Sequence, residues 1–137
     1  RNRMDAIKPY MQPKWWLIVI GVLGFAAGVG NYATAEESAK IGWGDDYTDN
    51  DVFYEKAWGI NQLPIALVAI VSGVMLTGRA RSIIAMTIGG GFLFSMLMLY
   101  PTGTGAEYGF MGIEMLIAVT VIMGGLFTSG YLYLDDE

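Results

Sequence analysis

Cysteine and histidine are both absent from this 137-residue chain, and their absence removes whole chemistries. Thiolate iron–sulfur ligation, Cys or His zinc sites, His-ligated haem or chlorophyll, disulfide exchange and Ser–His or Cys–His nucleophilic catalysis cannot be assembled from the side chains present. A chain without cysteine is also silent about its redox compartment. Charge is scarce too. Only 15% of residues are Asp, Glu, Lys or Arg, and none of them forms the basic patch that nucleic acid would require.

What remains is apolar. Hydrophobic residues make up 54% of the chain and the mean hydropathy is +0.45, with the charges confined to short segments between apolar runs. At about 1.5 Å per residue, some 20 apolar residues cross a bilayer core, and four stretches meet that length: about 15–33, 58–77, 82–100 and 111–134. They are too long and too evenly apolar for the alternating strands of a transmembrane β-barrel. The expected fold is therefore an all-α integral membrane four-helix bundle forming one domain over residues 1–137. The last stretch, GIEMLIAVTVIMGGLFTSGYLYL, is of membrane length and yet carries a carboxylate, Glu114.

The first residues, RNRMDAIKPYMQPK, hold four basic residues against one acid and read as a cytoplasm-facing anchor rather than a signal peptide. Because the chain opens at Arg1, its start is expected to be a processed or trimmed end. Trp15 and Trp16 stand where an aromatic belt belongs. Along the first span Gly21, Gly24, Gly28 and Asn31 recur at three- and four-residue spacing, leaving one face almost bare for close helix packing. In the second span Gln62, Ala66, Ala69, Gly73 and Thr77 form a similar inward face, and Pro64 predicts a mild kink near Asn61 and Gln62. A short hairpin, residues 78–81 with Arg79 and Arg81, joins it to a third span that should stop at Pro101. Gly89, Gly90 and Gly91 in that span suggest close backbone contact or a bend. The fourth span's face is Glu114, Ala118, Val121, Gly125 and Thr128.

Counting Lys and Arg near the spans puts the N-terminus and the 78–81 hairpin inside, and even topology puts the C-terminus there as well. The polar stretch 34–57, with seven acids and two lysines, is then one long acidic outer-face loop. Glu36 and Lys40 could pair across a turn of a short helix within it. Calcium would suit Asp45, Asp46, Asp49 and Asp51 as hard-oxygen ligands, but the helix-flanked loop with Gly at its sixth and Glu at its twelfth position is missing. A solvated acidic surface is the favoured alternative. The nine methionines are scattered through apolar spans and read as packing residues rather than a copper path.

This topology brings Asn31, Asn61, Gln62, Tyr100 and Glu114 to similar depth near the outer face. A protonatable carboxylate beside amides could relay a proton, bind a cation or hold the polar head of a quinone or lipid. The plainer alternative is that these groups hydrogen-bond one another and set helix register, at about 1 kcal/mol per contact.

A small-residue helix, a short basic hairpin at 78–81 and a Glu near the start of the final helix together resemble the small DoxX-like four-helix membrane proteins, over about residues 50–134. The resemblance implies a compact four-helix bundle of a kind linked to redox membrane assemblies. It carries over no catalytic residue, and it does not explain the glycine-rich first span or the acidic segment.

With no catalytic set in view, the expected role is a non-catalytic accessory or structural subunit of a larger membrane complex, packing through Gly21, Gly24, Gly28, Ala66, Ala69, Gly73, Ala118 and Gly125. The competing expectation is a small-molecule, quinone, lipid or proton-handling bundle centred on Glu114. Self-association through Gly24 and Gly28 is a third. Expected partners are membrane lipids and other integral membrane subunits, not nucleic acid. The expected location is the cytoplasmic membrane of a prokaryote, with an organelle membrane as the alternative. No cofactor is ligated by side chains, although a lipid, carotenoid or quinone held by apolar contact needs none.

Overall fold

The structure, a computed structural model, describes residues 3–136, all of whose regular elements are helices. A short α1 (Arg3–Ile7) and a 3-10 turn (Lys8–Tyr10) lead into α2 (Pro13–Ala33). Pro13 occupies the first turn of α2, where its missing amide costs nothing and its fixed φ suits the helix. Then come α3 (Ala35–Trp43), α4 (Asp49–Asn61), α5 (Leu63–Met75), α6 (Gly78–Gly105) and α7 (Ile113–Leu132). Four helical stretches are long and apolar enough to cross a membrane: α2, the joined α4–α5 rod (Asp49–Met75), α6 and α7. At about 1.5 Å per residue, each exceeds or matches the ~30 Å of a hydrocarbon core.

The helices pack as two pairs, α2 against α5 and α6 against α7, with lighter contact between pairs. Missing side chains explain both pairings. A Cβ placed on Gly28 would lie 2.5 Å from the Gly59 carbonyl oxygen, and one on Gly59 would lie 2.5 Å from that of Gly28, so these two backbones touch. Two turns along, Gly21 leaves room for the Ala66 carbonyl and Ile70, and about two turns further Gly73 does so for the Lys14 carbonyl and Ile18. Gly24 is looser, since a Cβ there would meet Ala66 Cβ at an ordinary 3.7 Å. In the second pair Gly89 accepts the α7 backbone at Met123 and Phe127, and Gly130 accepts that of α6 at Ser82. Without a hydrophobic drive between helices in lipid, such close van der Waals seams supply the association. The pairs meet at a core to which each span gives one fully buried residue, Leu17, Ala69, Ala85 and Leu126. Trp16 closes it by lying over Gly125.

Several sequence expectations need correction. The acidic segment 34–57 is not a loop. It folds as α3 and the first part of α4, because Thr48 and Asp51 form a reciprocal capping box, with Thr48 Oγ1 accepting the Asp51 amide (3.4 Å) and Asp51 Oδ2 accepting the Thr48 amide (2.7 Å). Asp49 and Asp51 sit in the first turn of α4, where the helix dipole favours acids. Lys40 pairs with Asp45 at 3.1 Å rather than with Glu36, which accepts the Tyr47 hydroxyl at 2.8 Å. Nor does α6 stop at Pro101. It runs on to Gly105, with Thr104 Oγ1 donating to the Tyr100 carbonyl at 2.9 Å and helping to hold the extra turn. The hairpin link is Leu76 and Thr77, while Gly78–Arg81 already form the first turn of α6. α4 and α5 meet at Gln62, beside Pro64.

Candidate functional site

The backbone contact between Gly28 and Gly59 sets the position of a buried polar cluster. Asn31 lies three residues after Gly28 and Glu55 four residues before Gly59, so helical spacing brings both side chains beside the seam. Glu55 is only 6% exposed, and a buried carboxylate must find donors. Asn31 Nδ2 donates to the Glu55 carbonyl at 2.8 Å and to Glu55 Oε2 at 3.0 Å. Ser38, itself 7% exposed on α3, donates to Asn31 Oδ1 at 2.7 Å and so fixes which way the amide points. The remaining oxygen, Oε1, accepts the Tyr108 hydroxyl.

Tyr108 arrives from the α6–α7 loop by a specific turn. The Tyr108 amide donates to Gly103 O at 2.9 Å and that of Glu107 to Thr104 O at 3.1 Å, the paired bonds of a Schellman motif. Its left-handed position is Glu107 (φ +57°) rather than the usual glycine. Beyond the turn, Gly109 donates its amide to the Gly42 carbonyl at 2.8 Å. The Tyr108 ring lies on the bare Cα of Gly42, 4.9 Å from the Trp43 ring and 5.6 Å from that of Phe110. Four separate segments, α2, α3, α4 and the 106–112 loop, thus converge on one carboxylate.

Burial raises the Tyr108 pKa above its ordinary 10.0, and the hydrogen bond to Glu55 and its charge act in the same direction. The phenol is held protonated as a donor. Since the folded pKa lies above the unfolded one, the stabilisation is fully present below about pH 10 and is lost as pH rises toward the folded value. In an ultraviolet titration of phenolate, Tyr108 and the Glu36-bonded Tyr47 are expected to ionise later than the other tyrosines, with Tyr108 as the last step. Tyr108→Phe should remove that late step. If the variant and the wild type titrate alike, Tyr108 is not held in this way.

Of the residues grouped by the sequence, only Asn31 belongs to this network. Gln62 is half-buried and has its Cβ beside the Gly28 seam, Tyr100 is half-buried, and Asn61 and Glu114 are exposed. Among the described residues, no side-chain hydrogen bond or ion pair joins Glu114, Gln62, Asn61 and Tyr100 to one another. Of the packing residues, Gly21, Gly28 and Gly73 lie in backbone seams, Ala66 and Ala69 are buried, Gly24 is in ordinary contact, Gly125 lies under Trp16, and Ala118 is exposed. Of the four aspartates considered for calcium, Asp45 faces Lys40 and Asp51 caps α4. No group of three or more acids converges among the described residues.

No pattern taken up above singles out Glu55, Ser38 or Tyr108. A signal for Glu55 did exist. The stripe Gln62, Ala66, Ala69, Gly73 extends upstream at the same four-and-three spacing to Gly59 and Glu55. Comparison with protein-family models, curated proteins and solved structures finds no match to this chain.

Proposed function

We propose that this chain is a non-catalytic accessory or structural subunit of a larger integral membrane complex, with the outer half of α7 as its seat for a neighbouring helix. One observation carries this role. The small-and-polar face that begins α7, Glu114, Ala118 and Val121, is exposed, although Gly125 on the same face packs under Trp16. A helix face meant for lipid has no need to be small or to hold a carboxylate, whereas a face meant for another helix does. The adjoining half of α6 offers Phe94, Leu97, Met98 and Leu99, all exposed. The Glu55 network suits the same role, because both carboxylate oxygens already have donors within the chain and it ties α3 and α4 to the α6–α7 loop. By the Lys and Arg count the starts of α2 and α6 face the cytoplasm, and the α3–α4 segment with the Glu55 network lies on the opposite side. The DoxX-like pattern of the last three spans belongs to the same proposal.

Gentle-detergent extraction from native membranes, native-gel separation and mass spectrometry test it. A stoichiometric larger assembly is expected for the wild type and its loss for Ala118→Trp. The melting temperature of the isolated variant should stay within a degree or two, because position 118 is exposed within the chain. Migration of the wild-type chain alone would overturn the proposal.

A further inference from the structure

At the opposite end of the bundle from Glu55, a partly open cavity of about 160 Å³ lies between the starts of α2 and α6 and the end of α7. Its walls include Lys14, Gly78, Arg81, Ser82, Tyr133 and Asp136. Two buried donors in that wall have no partner among the described residues, Arg81 Nε and the hydroxyl of Ser82, a residue only 1% exposed. Leaving such groups unsatisfied is costly, so an acceptor belongs there.

The electrostatics specify its charge. Two helix N-termini open onto the cavity, and neither is capped by a side chain: Gln12 precedes α2 and Thr77 precedes α6 without a capping hydrogen bond. Their positive dipole ends favour an anion. Lys14 and Arg81 add two positive charges. The acid present, Asp136, is already engaged by Lys8 at 2.7 Å, and the Tyr133 hydroxyl is spent on the Lys8 carbonyl at 2.9 Å. Gly78, at φ +52°, turns the chain into α6 with no side chain to fill the space.

We propose that this cavity is a phosphate-binding site at the membrane interface, in which Arg81, Ser82 and Lys14 hold a phosphate group of a phospholipid headgroup or of a free phosphate ion. Guanidinium and hydroxyl donors together suit a tetrahedral oxyanion. Trp15, exposed beside Lys14, stands where an interfacial residue would meet the lipid.

The test uses the full chain purified in neutral detergent, with binding followed by native mass spectrometry and by melting temperature. Phosphatidylglycerol is compared with diacylglycerol, which lacks the phosphate, and inorganic phosphate with chloride at matched ionic strength. Binding of phosphatidylglycerol but not of inorganic phosphate would identify a lipid site, and binding of both a site for phosphate itself. Either supports the proposal if Arg81→Gln weakens binding about tenfold. Ser82→Ala, which removes one hydroxyl and keeps a good helix former, should weaken it several-fold and serves if Arg81→Gln fails to fold. Absence of binding by both probes, or unchanged affinity in Ser82→Ala and Lys14→Gln, would overturn it.

Discussion

Glu55→Ala is expected to destabilise the protein by about 3 kcal/mol. The substitution strands the Tyr108 hydroxyl, whose one partner among the described residues is Glu55, leaves the Asn31 amide with the Glu55 backbone carbonyl alone, and opens a space between α2 and α4. The Tyr108 donor left without an acceptor, at about 1–3 kcal/mol, and the space left behind account for most of the cost. Thermal or SDS-induced unfolding in detergent, followed by tryptophan fluorescence, measures it, and Trp43 beside Tyr108 provides a local reporter. The effects of Asn31→Ala and Glu55→Ala should be strongly non-additive, since either change breaks the same contact. Strict additivity would mean that the cluster is not one unit. Glu114→Gln supplies the contrast. Glu114 is exposed, and its replacement is expected to change the stability of the isolated chain by less than about 0.5 kcal/mol.

A single methyl group at Gly28 should do comparable damage. In Gly28→Ala the new Cβ would fall 2.5 Å from the Gly59 carbonyl oxygen, and a backbone atom cannot swing aside as a long side chain can. The helices must separate, at a cost of about 2–3 kcal/mol. Because Asn31 and Glu55 flank this contact, the separation also lengthens their hydrogen bonds. Gly59→Ala is expected to behave alike. Gly24→Ala, four residues away on the same helix face, is expected to be neutral or mildly stabilising. Its Cβ finds 3.7 Å of room, and alanine is the better helix former by about 1 kcal/mol. Equal losses at positions 24 and 28 would contradict the contact described between α2 and α4.

The different fates of Gly24 and Gly28 mark the boundary between what the chain states locally and what packing adds. Both glycines belong to one sequence stripe and look equivalent there. Only the crossing of two helices makes one a backbone contact and the other an ordinary neighbour. The same holds for the two glutamates. Glu114 stands out because its flanks are apolar, while Glu55 lies among other acids in a segment that composition alone assigns to solvent. What buries Glu55 is a capped helix extending the second span by two turns beyond its apolar part, together with a loop 53 residues further on that brings Tyr108.

By itself the sequence determined the membrane class and the number of spans. Apolar length against bilayer thickness is a local quantity, and backbone groups in lipid have no choice but to pair within a helix. It also determined the glycine faces and the break at Gln62 beside Pro64, since both follow from the residue at the position. The tertiary structure decided which faces meet, which carboxylate is buried and which donors reach it. Those outcomes depend on contacts between residues far apart in the chain, where a shift of one helical turn would exchange a buried partner for an exposed one, and periodicity within a single span carries no information about the helix it will meet.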